Sequence, residues 1–519
     1  MKLKYSIPFL CLSVITYADL QAQTIDDALI FSREDVGASA RIKGLGNAQT
    51  ALGGDISSIN GNPAGLGFFG RSDISITFNY LQNNNKVGYF GTNTTTNKGN
   101  FGVDQAGVVF YLPTRSNSGW QNFNMGLSYN KTQNFNNFRS YEGVNDNSTI
   151  VHTLTDMMSM AGNETFRNDF YDSFIVEEYD YAVTGKEGYF PVAVENDNKS
   201  QYNEHRMLGN RSRTAISFGA NYNNKFYIGA SMGLTSFKYE KNTQFIENGW
   251  TKTAPEIAQD NPGSDLLDPS NNRYLEASYE MFDNFSQVTE GSGVDMKLGM
   301  IFKPAVDWNV GLTINTPTWT TIKDDTYAYT DVHFYEDANP DTSPFDTYES
   351  KEYESGMDYN MTTPWKFAVG VAKFFNRGLL TADVEFIDYS TMKYSNASSS
   401  YAYSGFADIN SDIKDIYTSA LNFRIGGEVL LNNALSARAG FNYFGNPYKD
   451  VDDKNLSGSL GLGVKLNHSL YLDMAVNHQV NSYKEAAYIV DEAFWDLPSP
   501  VANIDHKRTN FALTLGAKF

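Results

Sequence analysis

The sequence predicts an all-β fold, a fourteen-stranded antiparallel transmembrane β-barrel. Three observations predict it. Apolar and polar residues alternate with period two in many separate segments, short and long connections follow one another in turn, and the chain ends within such a segment on an aromatic residue. A strand that ends the chain leaves an edge exposed, and closing a barrel removes that edge.

The alternating segments number about fourteen, and each has one largely apolar face. They are residues 74–80, 106–112, 123–129, 214–222, 226–234, 294–302, 308–316, 365–374, 380–386, 421–429, 435–443, 460–466, 470–476 and 511–519. A secreted soluble β protein is the main alternative, but its outer face would be polar. One apolar face on nearly every segment therefore favours strands that face lipid.

The connections alternate between tight turns and long polar segments. Asn223-Asn224 and Asn432-Asn433 are typical of tight turns. The longest polar segments, at about 131–211, 238–292 and 319–363, are predicted to be extracellular loops. This asymmetry is typical of outer-membrane barrels, and we expect the barrel to span residues 71–519.

Both ends of the chain indicate export to the outer membrane of a Gram-negative bacterium. Residues 1–22 are predicted to be a signal peptide, with Lys2 and Lys4 before a short apolar run that contains the only cysteine, Cys11. Phe519 ends the final strand as an insertion signal, which implies the barrel assembly machinery and outer-membrane lipid as partners. No stretch of eighteen apolar residues occurs, so a spanning role requires strands.

Composition excludes some classes of protein. The formal net charge of -20 over 519 residues argues against nucleic-acid binding, which needs a basic surface. The acidity is explained by long solvated loops, or alternatively by a cation-selective pore. Aromatic residues make up 14% of the chain, as expected when half of each strand faces lipid.

The sequence of residues 23–70 does not predict strands. They are rich in glycine, and short helices are predicted at 25–31 and 56–59. Many predicted strands also carry glycine on the face turned to the lumen, which indicates either that something lies close to the inner wall or that glycine relieves the curvature of tilted strands. These are Gly126, Gly219, Gly229, Gly233, Gly299, Gly311, Gly370, Gly426, Gly440, Gly461, Gly463 and Gly516.

The run from Gly37 to Asp55, followed by Asn62-Pro63-Ala64, resembles the amino-terminal hatch of the FadL-type long-chain fatty-acid transporters. Segments at 293–299, 312–317 and 363–365 are also similar to that family. The resemblance implies that residues 23–70 form a hatch (plug) inside the barrel. It also implies passive uptake of long-chain fatty acids or similar hydrophobic compounds, with lateral exit at a kink in the third strand. The Asn-rich segment 130–137 follows the predicted third strand.

Two arginines and three phenylalanines are candidate ligand-binding residues. Arg424 and Arg438 are predicted to face the lumen, where an arginine fork suits a carboxylate; a cross-strand ion network with Glu428 that anchors the plug is the alternative. Phe166, Phe170 and Phe174 recur every four residues and could form an apolar landing site on one helix, or simply pack the loops together.

The sequence does not predict an enzyme, a metal site or a cofactor. The histidines are scattered and no nucleophile motif occurs. Asp408 to Asp412 have oxygen ligands at alternate positions, but the glycine of a calcium loop is missing. We expect the protein to be a transporter and a monomer. A general or cation-preferring diffusion porin and a loop-based adhesin or scaffold remain alternatives.

Overall fold

The computed structural model describes residues 25–35, 37–114, 116, 118–160, 164–336, 343–398, 403, 405–450 and 453–519. The predicted signal peptide, with Cys11, lies outside these residues. The strands, numbered in chain order, are β1 (Asp73–Tyr89), β2 (Thr92–Pro113), β3 (Trp120–Asn134), β4 (Asn137–Asn145), β5 (Val176–Glu178), β6 (Tyr189–Pro191), β7 (Lys199–Tyr222), β8 (Phe226–Trp250), β9 (Ser278–Ala305), β10 (Trp308–Asn315), β11 (Trp319–Tyr335), β12 (Asp346–Glu349), β13 (Tyr353–Thr362), β14 (Lys366–Phe375), β15 (Gly378–Asp388), β16 (Lys393–Asn396), β17 (Ser419–Leu430), β18 (Leu435–Phe444), β19 (Lys454–Lys465), β20 (Leu470–Ala486) and β21 (Val501–Lys518).

Helices are short and lie in the amino-terminal segment and in the long connections. The α-helices are α1 (Ile25–Ser32), α2 (Ala40–Gly44), α3 (Val151–Ser159), α4 (Glu164–Tyr171), α5 (Tyr181–Thr184), α6 (Ala254–Asp260), α7 (Phe406–Ile416) and α8 (Glu492–Trp495). The 3₁₀ helices are Ile56–Ile59, Pro63–Phe68, Asp265–Leu267, Asn272–Tyr274 and Tyr389–Thr391. No helix among the described residues is long and apolar enough to cross a membrane.

The strands form one closed antiparallel barrel of fourteen, which confirms the predicted fold class. β21 closes it by pairing with β1, from Asp73 opposite Lys518 to Gly88 opposite Asn503. Several barrel strands are interrupted and continue in a second segment: β4 continues β3 along β7, and β11 continues β10 along β9. In the same way β14 follows β13, and β16 follows β15.

A belt of exposed apolar side chains surrounds the barrel near its short-turn end, as a lipid-facing surface requires. On β8 the belt consists of Ile228, Met232 and Leu234. Beyond Thr235 the pattern of this strand inverts, since Phe237 and Tyr239 turn inward and are buried while charged residues face outward. The outer face therefore changes from apolar to polar while the ladder continues.

This inversion corrects the predicted loop lengths. The segments predicted as loops at about 131–211, 238–292 and 319–363 contain β4, the whole of β11 and β13, and long continuations of β7, β8 and β9. Above the belt the outward residues are mostly polar and no longer produce the lipid-facing alternation on which the prediction rested. The true connections then form a small domain at the long-loop end, with a buried apolar core that includes Leu154, Phe190 and Tyr279.

Candidate functional site

The amino-terminal segment, residues 25–70, lies inside the barrel and is seated on glycines of the inner wall. A Cβ atom added at most of the lumen-facing glycines would meet this segment, and at Gly440 it would come under 3.0 Å from backbone atoms of Leu45 and Gly46. The glycines that contact the amino-terminal segment are Gly126, Gly219, Gly229, Gly299, Gly311, Gly370, Gly426, Gly440 and Gly461. In contrast, Gly233, Gly463 and Gly516 face side chains of the barrel itself. The amino-terminal segment thus occupies space that larger side chains at these glycine positions would fill.

Asn62 fixes the segment to the wall. Its side chain is completely buried, and Nδ2 donates to the carbonyl oxygens of Thr50 at 2.6 Å and Met300 at 3.2 Å. Its Oδ1 accepts from the backbone N–H of Ala64 at 3.1 Å and so caps the 3₁₀ helix that begins at Pro63. One amide therefore joins two parts of the segment to β9.

Three consecutive charges, Arg33 to Asp35, tie the segment to three parts of the protein. Arg33 pairs with Asp453 at 2.7 Å, Glu34 with Lys366 at 3.1 Å, and Asp35 with Arg508 at 2.6 Å. Burial alone would raise the pKa of the Glu34 carboxyl, but Lys366 and Arg211 hold that pKa well below its usual range. The carboxylate of Glu34 therefore stays ionised and paired.

A cavity of ≈ 220 Å³ lies beside these charges. Arg424 and Glu385 line its polar side and pair with each other at 2.6 Å. Ile387 and Tyr389 line an apolar side, which continues into a cluster of buried aromatic residues around α1. The cavity is thus amphipathic, with charged groups on one side and apolar side chains, backed by the packed aromatic cluster, on the other.

Amide oxygens on the cavity wall are available as hydrogen-bond acceptors. Within the described residues, Gln133 Oε1 and Asn481 Oδ1 are buried without a hydrogen-bond partner. Asn442 and Asn510, which line an adjoining cavity of ≈ 70 Å³, have the same property. Buried polar atoms are normally paired, so this wall is suited to water or to the polar end of a ligand.

Arg438 lies elsewhere, at the short-turn side of the segment. Its guanidinium pairs with Glu428 and with Asp473, both at 2.6 Å, and Glu428 also binds Arg41 of α2 at 3.0 Å. This arrangement is the ion network that the sequence offered as the alternative to carboxylate binding. Of the two arginines proposed from the sequence, only Arg424 lines the cavity beside Glu34.

The three loop phenylalanines do not share one helix. Phe166 and Phe170 are buried in α4 with ring centroids 4.4 Å apart, but α4 ends at Tyr171. Phe174 has a positive φ of 56° and stacks on Tyr274 at 4.1 Å. The turn after Tyr171 breaks the four-residue periodicity, so the expected common face is absent and the rings pack within the domain core.

The wall of the barrel is incomplete between the second and third barrel strands. β2 pairs with β1 from Thr92 to Val109, but it pairs with β3 only from Gln105 to Pro113. No strand among the described residues pairs with the other edge of β2 between Thr92 and Asp104. Side chains bridge the seam, from Asn134 to Asn100 at 3.3 Å and from Thr96 to the carbonyl of Phe138 at 2.9 Å.

Sequence reasoning missed several of these residues. Arg508 lies between the predicted strands 470–476 and 511–519 and outside both, and Arg33 to Asp35 lie in a segment considered mainly for its glycines. Three adjacent charges next to the helix predicted at residues 25–31 were the available signal. Asp408 to Asp412, considered for calcium, lie within the helix α7, so their oxygens do not form a loop around one point.

These features define a class: a closed fourteen-stranded barrel whose lumen is filled by its own amino-terminal segment. Several solved structures are similar to the chain. The toluene transporter TodX of Pseudomonas putida has a TM-score of 0.51 at 14% identity, over 94% of this chain and 100% of that one. A FadL homologue of Pseudomonas aeruginosa has a TM-score of 0.50 at 13% identity, over 93% and 98%. The fold expected from the resemblance to FadL-type transporters is confirmed.

No protein-family model matches the sequence, and no curated protein matches it either. At these identities the structural likeness establishes the fold, and the function must be argued from the interior of this barrel.

Proposed function

We propose that this protein is an outer-membrane channel for passive uptake of hydrophobic or amphiphilic compounds. The observation that carries the proposal is a filled lumen beside an incomplete wall. A general porin needs a continuous aqueous path, whereas here residues 25–70 rest on the inner glycines. A scaffold built on the loops would need neither the amphipathic cavity nor the seam.

The proposed route enters from the long-loop end and leaves sideways. The side of the cavity lined by Ile387 and Tyr389 would take the apolar part of the ligand, while Arg424 and the free amide oxygens take its polar end. The lower part of the seam, from Phe101 to Asp104 at the height of the apolar belt, would then release the ligand toward lipid, which avoids passage through the amino-terminal segment. Long-chain fatty acids are the first substrate class to test, because the sequence resemblance points to them. Aromatic hydrocarbons are the second, because the similar TodX structure is that of a toluene transporter.

The seam gives the most direct test of this route. Joining Asn100→Cys to Asn134→Cys with a short bifunctional thiol reagent should stop uptake of labelled oleate, because the seam could no longer widen. Cys11 is the only native cysteine, so the reagent has few other targets. The measurement is uptake by cells that lack the native gene and express the variant.

The matched control joins Asn84→Cys to Asn97→Cys. These residues face each other on β1 and β2, which are already hydrogen-bonded, so the link should leave uptake unchanged. Equal uptake by both linked proteins would contradict lateral exit. Equal uptake by cells with and without the wild-type gene would contradict the transport function itself.

Arg424 is the proposed receptor for a carboxylate. Arg424→Gln should weaken binding of a fatty acid by about tenfold to a hundredfold, the value of one charge-assisted pair, since the carboxylate must compete with Glu385 for the fork. Affinity is measured by titrating the purified barrel with a fluorescent fatty acid. Arg438→Gln is the comparison, because Arg438 lies outside the cavity, and it should change affinity little. Equal affinities for wild type and Arg424→Gln would remove the assignment.

A further inference from the structure

The third barrel strand turns into the lumen after its break at residues 135–136. Asn83 of β1 donates to the carbonyl of Asn136 at 2.6 Å, and Asn85 donates to the carbonyl of Phe138 at 2.8 Å. Both asparagines are buried on the inner face of β1. The segment β4 therefore lies against the inside of β1 and does not continue the wall beside β2.

One buried ion pair extends from β4 to the far side of β1. Arg139 Nη2 lies 2.6 Å from both carboxylate oxygens of Glu485 on β20, and Nη1 donates to the hydroxyl of Tyr483 at 3.1 Å. The side chains of Arg139 and Glu485 are 3% and 0% exposed. In the barrel wall, β21 lies between β1 and β20. The ion pair therefore extends past β1 and β21 and fixes β4 to β20.

The pair lies above the apolar belt, and within the described part of the chain His205 is the one other basic residue within 4 Å of the Glu485 carboxylate. Glu485 is opposite Ala502, well beyond Phe511, the last exposed apolar residue of β21. His205 Nε2 is 3.4 Å from Glu485, but burial, with the charges of Arg139 and Lys241, holds the pKa of His205 well below its usual range. Neutral His205 cannot replace the guanidinium.

The unpaired edge of β2 opposes this arrangement. Between Thr92 and Asp104 its free N–H and C=O groups favour a neighbouring strand, as every exposed sheet edge does. β4 is the segment best placed to supply one, since it already lies beside β1 and β2 and its break at residues 135–136 can act as a hinge. A contact elsewhere must therefore keep β4 from pairing with this edge of β2.

We propose that the Arg139–Glu485 ion pair is the positioning tie that keeps β4 inside the barrel and so keeps the seam along β2 from closing. Loss of the tie lets β4 swing outward and complete the ladder with β2. The effect on uptake rests on the proposed function, whereas the effect on the strand edge does not.

The test replaces both partners at once, with Arg139→Met and Glu485→Leu, so that no unpaired charge is buried. Hydrogen exchange of peptides covering residues 92–104 is measured in the full-length barrel. In the double variant the free-edge amides should exchange about tenfold more slowly than in the wild type, because they gain ladder partners. Uptake of labelled oleate should fall in parallel. The charge-swapped variant, Arg139→Glu with Glu485→Arg, should restore both readings.

The control is Arg206→Met with Glu204→Leu, a pair on β7 in which Arg206 is exposed and Glu204 partly exposed, and it should change neither reading. Unchanged or faster exchange in a folded Arg139→Met, Glu485→Leu barrel would overturn the tie. If that barrel does not insert, Arg139→Gln with Glu485→Gln serves the same comparison. A wild type that takes up no oleate would overturn the proposed function but leave the exchange result decisive for the tie.

Discussion

Gly440→Ala is expected to open the lumen. The new methyl group would lie under 3.0 Å from the backbone of Leu45 and Gly46, and backbone cannot rotate aside as a side chain can. The loop after α2 must leave the wall, and this also strains the contacts of Gly426 with Leu45. Purified barrels in planar bilayers should then show stable ion conductance where the wild type shows little.

Gly458→Ala is the matched control. Gly458 lies on β19, next to β18, and nothing lies within 4 Å of the added atom. This variant should conduct like the wild type and insert equally well. If Gly440→Ala also remains closed while folded, the amino-terminal segment is not held at its wall contacts in the way described.

Glu247→Ala is expected to loosen the domain at the long-loop end. The buried carboxylate accepts hydrogen bonds from Thr149, from the N–H of Ile150 at 3.1 Å, from Gln201 at 2.5 Å and from Tyr279 at 2.7 Å. Removing it leaves several buried donors unpaired, which costs about 3 kcal/mol or more. Local opening should rise roughly a hundredfold, seen as faster proteolysis between residues 146 and 198.

Two substitutions separate the hydrogen bonds of Glu247 from general damage. Glu247→Gln retains one acceptor oxygen and should be intermediate. Glu240→Ala, on the outward face of the same strand and partly exposed, should behave like the wild type. Resistance of Glu247→Ala to protease at the wild-type level would show that other contacts hold the domain.

The half of the fold that carries the apolar belt could be predicted because an apolar outer face imposes one rule on every strand. Ile228, Met232 and Leu234 face outward at alternate positions, and the same pattern gives the strand number and the closing pair of β1 and β21. Above the belt this rule disappears. Lys238 and Glu240 face water there, while Phe237 and Tyr239 face inward. A pattern that requires apolar residues on the outer face therefore predicts a loop in this part of the strand.

The interior was predictable only where a residue type has few uses. Glycine on the lumenal face indicated a close neighbour, and Gly440 and Gly299 have one. Charged residues have many possible partners, and sequence does not say which strands meet. The pairing of Arg139 with Glu485 joins residues far apart in the chain, on strands that are not neighbours in the sheet.

The height of the strands above the belt has an electrostatic consequence. From Thr235 to Trp250, β8 rises about 50 Å along its axis at roughly 3.3 Å per residue, or about 35–40 Å at the usual barrel tilt. Surface charge of a membrane is screened within about 8 Å at physiological ionic strength. A molecule approaching the entrance therefore meets the field of this acidic chain, with its net charge of -20, and not that of the membrane. Anionic amphiphiles should arrive more slowly as salt is lowered, while uncharged ones arrive at the same rate.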